Sequence, residues 1–131
     1  FPYTTLFRST QRSSELYRTL AQQVKEYLTT SKAYCNPSLK VADVATAVGT
    51  TTTNISEMCS RYMKTSFFSL INGYRFKEFK RIVRDEQYAN YTITALAEMC
   101  GFKKSSFFNV FKEHEGCTPA AWLKKEGIKR E

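Results

Sequence analysis

A chain of 131 residues that is 42% apolar can bury a hydrophobic core but is too short for several independent domains, so one domain or two very small ones is expected. Twenty Lys and Arg against twelve Asp and Glu give a formal charge of +8, a balance suited to a polyanion. No apolar run approaches the roughly 18 residues needed to span a bilayer, which excludes a spanning segment and predicts no membrane contact for this stretch.

Phe1 to Ser9, FPYTTLFRS, reads as translated sequencing-adapter sequence and is set aside from the fold. There is no initiator methionine, and a sensor or dimerisation region is expected to precede Thr10 in a longer protein. From Ser14 to about Thr30, behind a Ser13 or Ser14 cap, Leu16, Leu20, Val24, Tyr27 and Leu28 fall at helical spacing and predict an amphipathic leader helix. Asn36 and Pro37 mark the loop that completes residues 10–38.

Lys40 to Val48 reads as a short helix closed by Gly49. Thr51 caps a helix from Thr52 to about Met63, with Ile55, Met58, Cys59 and Tyr62 as its inward stripe. Ser66 to about Asp85 reads as one longer helix, apolar through Phe67, Ile71, Tyr74, Phe79, Ile82 and Val83. At about 1.5 Å per residue it would be nearly 30 Å long, close to the ~34 Å repeat of duplex DNA. After a polar and aromatic linker, Thr92 caps a helix from Ile93 to Met99 that ends near Gly101. Ser105 to about His114 follows, buried through Phe107, Val110 and Phe111 and stopped by Gly116. Thr118 and Pro119 start a last short helix, and residues 125–131 read as a frayed tail.

Two parts of this series echo each other. Val41, Val44, Ala45, Gly49, Ile55 and Cys59 recur in type as Ile93, Leu96, Ala97, Gly101, Phe107 and Phe111, each pair 52 residues apart. The expected fold is therefore all-α: two helix-turn-helix subdomains, 39–64 and 92–116, joined by a long linker helix, 66–86, with an N-terminal leader helix and a terminal short helix, 118–124. Two such units on a basic chain point to DNA.

An enzyme fits poorly. There is no Gly-rich phosphate loop, no carboxylate pair on an apolar helix face, and His114 lacks a nucleophilic or acidic partner in sequence. Cys35, Cys59, Cys100 and Cys117 show no CxxC spacing and fit a reducing cytoplasm, and a metal held by His114 and Cys117 would need two further ligands. No metal and no cofactor is expected.

The segment from about Leu39 to Lys124 resembles the DNA-binding domain of the AraC/XylS family of bacterial transcription regulators. The most specific string, CGFKKSSFFNVFKEHEGCTPAAW from Cys100 to Trp122, is similar to the family's second-unit signature: a Gly-Phe step, a Phe-x-x-x-Phe-Lys pair, a Gly and then Thr-Pro. INGYRFKEFKR, from Ile71 to Arg81, and YCNPSLKVADVA resemble the variant common in Bacteroidetes-like regulators. Lys64 stands where the first unit often has glycine, and the stretch from Gly101 to Phe111 is one residue shorter than usual. The resemblance implies a cytoplasmic, sequence-specific regulator that binds double-stranded DNA with two recognition helices in successive major-groove segments and contacts RNA polymerase.

A recognition helix presents its N-terminal half to base edges. The base-contacting candidates are Thr52, Thr53, Ser56 and Glu57 in the first unit, and Lys104, Ser105, Ser106 and Asn109 in the second. Glu57 has a plainer reading as the i+4 partner of Arg61. Phosphate contacts are expected from Arg61, Lys64, Lys103 and Lys112, and from Lys77, Lys80, Arg81 and Arg84, which form a stripe at i, i+3, i+4 and i+7; such a stripe is more often merely a solvated face, and only its neighbourhood to the two units points it to phosphate. Arg75 resembles the family's linker arginine, and either contacts phosphate or locks the two units together. Phe102, Phe107, Phe111 and Trp122 read as core rather than as base-stacking groups, while Phe108 lies off the stripe and is expected against the linker helix. The alternative functions are a nonspecific or architectural nucleic-acid-binding protein, with steep salt dependence and little discrimination between sequences, and a pure interaction module without DNA affinity.

Overall fold

The computed structural model describes residues 2–128, with side chains from Ser14 onward; Phe1 and the Lys129–Glu131 end of the expected tail lie outside the described residues. Among the described residues there are seven α-helices and no strand, so the fold is all-α. The chain forms two compact units, one from the N-terminal part up to Ala33 with Ser38–Ile71, the other from Tyr34–Pro37 with the chain from Asn72 onward.

In the first unit, α1 (Pro2–Ser31) runs through Ser13 and Ser14 without a break, so neither serine caps its start. Leu20, Val24 and Leu28 are buried, but Leu16 is 67% exposed. The stripe that packs is continued one position later by half-buried Tyr17, which lies three residues before Leu20 and seven before Val24. α2 (Val41–Val48) begins where the Lys40 N–H donates to Asp43 Oδ2 at 2.9 Å. It ends at Gly49, whose φ of +78° lets the Thr50 N–H reach the Ala45 carbonyl at 2.8 Å. α3 (Thr52–Glu57) starts from Thr51, whose hydroxyl accepts the Asn54 N–H at 3.1 Å.

The expected uninterrupted helix to Met63 is not what forms. After Glu57 the backbone widens into a π-turn over Met58–Tyr62, with the Met63 N–H donating to the Met58 carbonyl at 3.1 Å. Ile55, Met58 and Cys59 stay buried, but the widened turn carries Tyr62 off the inward stripe, and it is 41% exposed. The chain leaves through Lys64, which has a φ of +57°, while the Thr65 N–H closes onto the Cys59 carbonyl at 3.0 Å.

α4 (Phe67–Ile82) is capped by Ser66, whose hydroxyl accepts the Ser69 N–H at 3.1 Å, and it stops three residues short of the expected Asp85. From Asn72 onward it belongs to the second unit. There α5 (Ile93–Met99) and α7 (Pro119–Lys125) are capped as expected by Thr92 and Thr118, which accept the Ala95 and Ala121 N–H groups at 3.0 and 3.2 Å. α6 (Phe107–Glu115) starts two residues later than expected, because the Lys103 carbonyl takes the Ser106 and Phe107 N–H groups at 3.1 and 3.0 Å and holds the preceding residues in a turn.

The core of this unit is aromatic. Phe79 lies 5.2 Å from Phe107, 5.9 Å from Phe111 and 6.5 Å from Trp122 between ring centroids, spacings at which edge and tilted pairs are favourable. Phe76, outside the expected stripe, is also buried, 4.7 Å from Phe102 and stacked on His114 at 4.1 Å.

Candidate nucleic-acid interface

On the first unit, Thr52, Thr53 and Ser56 are exposed along α3, and Glu57 is half-buried. The Asn54 amide between them turns back and donates to the Thr50 hydroxyl at 2.9 Å. Glu57 does not pair with Arg61. Its carboxylate accepts the Tyr17 hydroxyl at 2.8 Å, a contact made by α1. That hydrogen bond, followed by desolvation, raises the Tyr17 phenol above its ordinary value. The spacing of Tyr17 ahead of Leu20, Val24 and Leu28 was the sequence signal for this residue. Arg61 and Lys64 are exposed, and neither enters an ion pair among the described residues.

On the second unit, Lys103, Lys104 and Ser105 are exposed in the turn that enters α6 rather than in the helix itself. Ser106 is half-buried and its hydroxyl donates to the Lys103 carbonyl at 3.4 Å. Asn109 and Lys112 are exposed on the helix, and none of the three lysines enters an ion pair among the described residues. Phe108, expected against the linker helix, is 51% exposed, with its ring 5.5 Å from Phe107.

The cationic stripe that runs from Lys77, Lys80 and Arg81 on α4 to Arg84 just past its end has a different fate. Lys80 pairs with Glu115, and its ammonium lies 5.6 Å from the centre of the Trp122 ring. Arg81 binds Glu78, with Nε at 3.0 Å from the carboxylate. Arg84 reaches Glu126 at 3.5 Å and covers Trp122 at 5.5 Å. Lys77 is the member of the stripe that stays exposed without an ion pair among the described residues.

Arg75 is not presented to phosphate. It is 7% exposed, and its guanidinium donates to the Tyr34 carbonyl at 2.6 Å, to the Asn36 carbonyl at 2.9 Å and to the Asn72 side chain at 3.2 Å, all within the second unit. Burial lowers its affinity for the proton. The arginine therefore clamps Tyr34–Pro37 onto α4. Gly101 completes the arrangement: its φ is +102°, and a Cβ there would lie 2.2 Å from the Tyr34 carbonyl oxygen and 2.8 Å from Arg75 Nε. Tyr34 stacks on Tyr74 at 5.6 Å, and its phenol is pushed up to about 12 by burial and then by the Glu78 charge.

Each unit thus combines short hydroxyl or amide side chains, able to meet base edges, with cations that have no carboxylate partner to displace. No described helix is long and apolar enough to cross a membrane. Residues 44–125, from α2 to the last residue of α7, match the helix-turn-helix domain family of the AraC type. No curated protein and no solved structure significantly matches the chain. With the family match covering more than half of an all-helical chain, this protein belongs to the AraC/XylS family of DNA-binding transcription regulators, of which it carries the C-terminal helix-turn-helix domain.

Proposed function

We propose that the chain is a sequence-specific binder of double-stranded DNA in which each unit sets a recognition segment into the major groove. The observation that carries this reading is the contrast between cations. Those beside the recognition segments, Arg61, Lys64, Lys103, Lys104 and Lys112, are exposed and in no ion pair among the described residues, whereas Lys80 and Arg81 on α4 and Arg84 just past its end are matched with Glu115, Glu78 and Glu126, leaving Lys77 as the unpaired cation of that stripe. A phosphate approaching the first group displaces counterions only; one approaching the second competes with a carboxylate.

In this reading Thr52, Thr53, Ser56 and Glu57 meet the bases of one box, and Lys104, Ser105, Ser106 and Asn109 those of another. Thr offers a methyl to thymine, Glu57 accepts from cytosine N4, Lys104 suits guanine and Asn109 suits adenine. Arg61, Lys64, Lys103 and Lys112 hold the backbone. RNA polymerase is the partner through which binding alters transcription, and a sensor or dimerisation region supplies the signal.

Selection of bound duplexes from a random pool at two salt concentrations tests the proposal, with Glu57→Ala and Asn109→Ala beside the unaltered chain. A bipartite site is expected, with each substitution relaxing preference in a different box at a cost of about 1–3 kcal/mol against the preferred base. Tight binding without enrichment of any site would instead establish the architectural reading.

A further inference from the structure

The outward side of the second recognition segment is polar or cationic, through Lys104, Ser105, Asn109 and Lys112, with one exception. Phe108 stands among them with half of its surface in water, next to Asn109 and one helical turn before Lys112. Its ring is not loose: it meets Phe107 edge-on at 5.5 Å, and Phe107 is fully buried in the core, so the ring has a fixed neighbour to lean on. Among the base-pair edges in a major groove, the C5-methyl of thymine is the group that rewards an apolar side chain rather than a hydrogen-bonding one. Resting on the reading that α6 enters that groove, we propose that Phe108 is a specificity-determining residue whose ring packs on a thymine methyl in the box read by Asn109.

The methyl itself is the variable to change. In the duplex selected by the full chain, each thymine of that box is replaced singly by uracil, which keeps every hydrogen-bonding group and removes the methyl. At one position the exchange is expected to weaken binding about 4-fold, the effect of one buried methyl, and Phe108→Ala is expected to bind the thymine and uracil duplexes equally. Retention of the thymine preference by Phe108→Ala overturns the proposal, as does insensitivity of the unaltered chain to every exchange. Asn109→Ala separates this failure from that of the underlying reading. If it still shifts base preference in the box while Phe108→Ala changes nothing, the groove assignment stands and the role of Phe108 does not; if neither substitution shifts preference there, both fall. Equal urea midpoints for the two chains show that the fold is intact.

Discussion

Lys64 holds a left-handed backbone conformation, φ +57°, in which a Cβ crowds the following carbonyl by roughly 1 kcal/mol or more, whereas glycine adopts it freely. The same residue is an exposed cation just after the π-turn that follows α3, and under the proposed function its two properties pull in opposite directions. Lys64→Gly is expected to raise stability by about 1 kcal/mol, seen as a higher urea midpoint at unchanged slope, and to lower the salt dependence of DNA binding by about one unit. A rise in stability with no change in salt dependence would remove Lys64 from the phosphate contacts. The sequence exposed this position as a departure from the family's glycine. The partner of Glu57 was hidden, because the Tyr17 contact joins residues 40 apart in sequence and only the helical phase of Tyr17 hints at it.

At the scale of elements, what could be read locally is what forms locally. The caps at Thr51, Thr92 and Thr118 and the turn glycines Gly49 and Gly116 depend on a few adjacent residues, and each sits where its chemistry requires. The π-turn at Met58–Tyr62 has no local marker, since MCSRY is acceptable to an α-helix, and it is visible only once Tyr62 is found exposed. In α4, a single apolar stripe is an adequate description only of a helix facing one core. Ile71 is buried in the first unit and Phe76 and Arg75 in the second, so the change of partner along the helix obscures both of the latter. Arg75 is the sharper case: a basic residue amid lysines and arginines is spent on backbone carbonyls. Arg75→Lys should cost about 2 kcal/mol in urea unfolding, because an ammonium cannot serve three acceptors spread around a planar fork, while the salt dependence of DNA binding stays unchanged. A reduced salt slope at unchanged stability would restore the phosphate role.

For the whole molecule, the +8 charge indicates a polyanionic partner but not which cations meet it. If only Arg61, Lys64, Lys103 and Lys112 meet phosphates, the logarithm of affinity should fall with the logarithm of salt at a slope of about −4; adding Lys77, Lys80, Arg81 and Arg84 would bring it to about −7. Titrating DNA binding between low and moderate salt measures this directly. The triple substitution Lys80→Ala, Arg81→Ala, Arg84→Ala is expected to leave the slope in place, and a loss of about three units would show that the carboxylates of Glu115, Glu78 and Glu126 yield to DNA. Composition carried the class of partner; in the proposed reading the distribution of carboxylates, decided by folding, sets the footprint.

The clamp on Tyr34–Pro37 has a consequence for inheritance. These four residues belong to the second unit, although the chain on either side of them belongs to the first, so the backbone passes from one unit to the other three times. Duplicated helix-turn-helix units look like interchangeable cassettes, and the 52-residue echo encourages that view. Here a single crossover within α4 would deliver Arg75 and Gly101 to a new host without the carbonyls that occupy them. An exchange that keeps the second unit intact has to bring along a tetrapeptide encoded upstream of the first unit's own helix-turn-helix, which makes the pair heritable as one piece rather than as two.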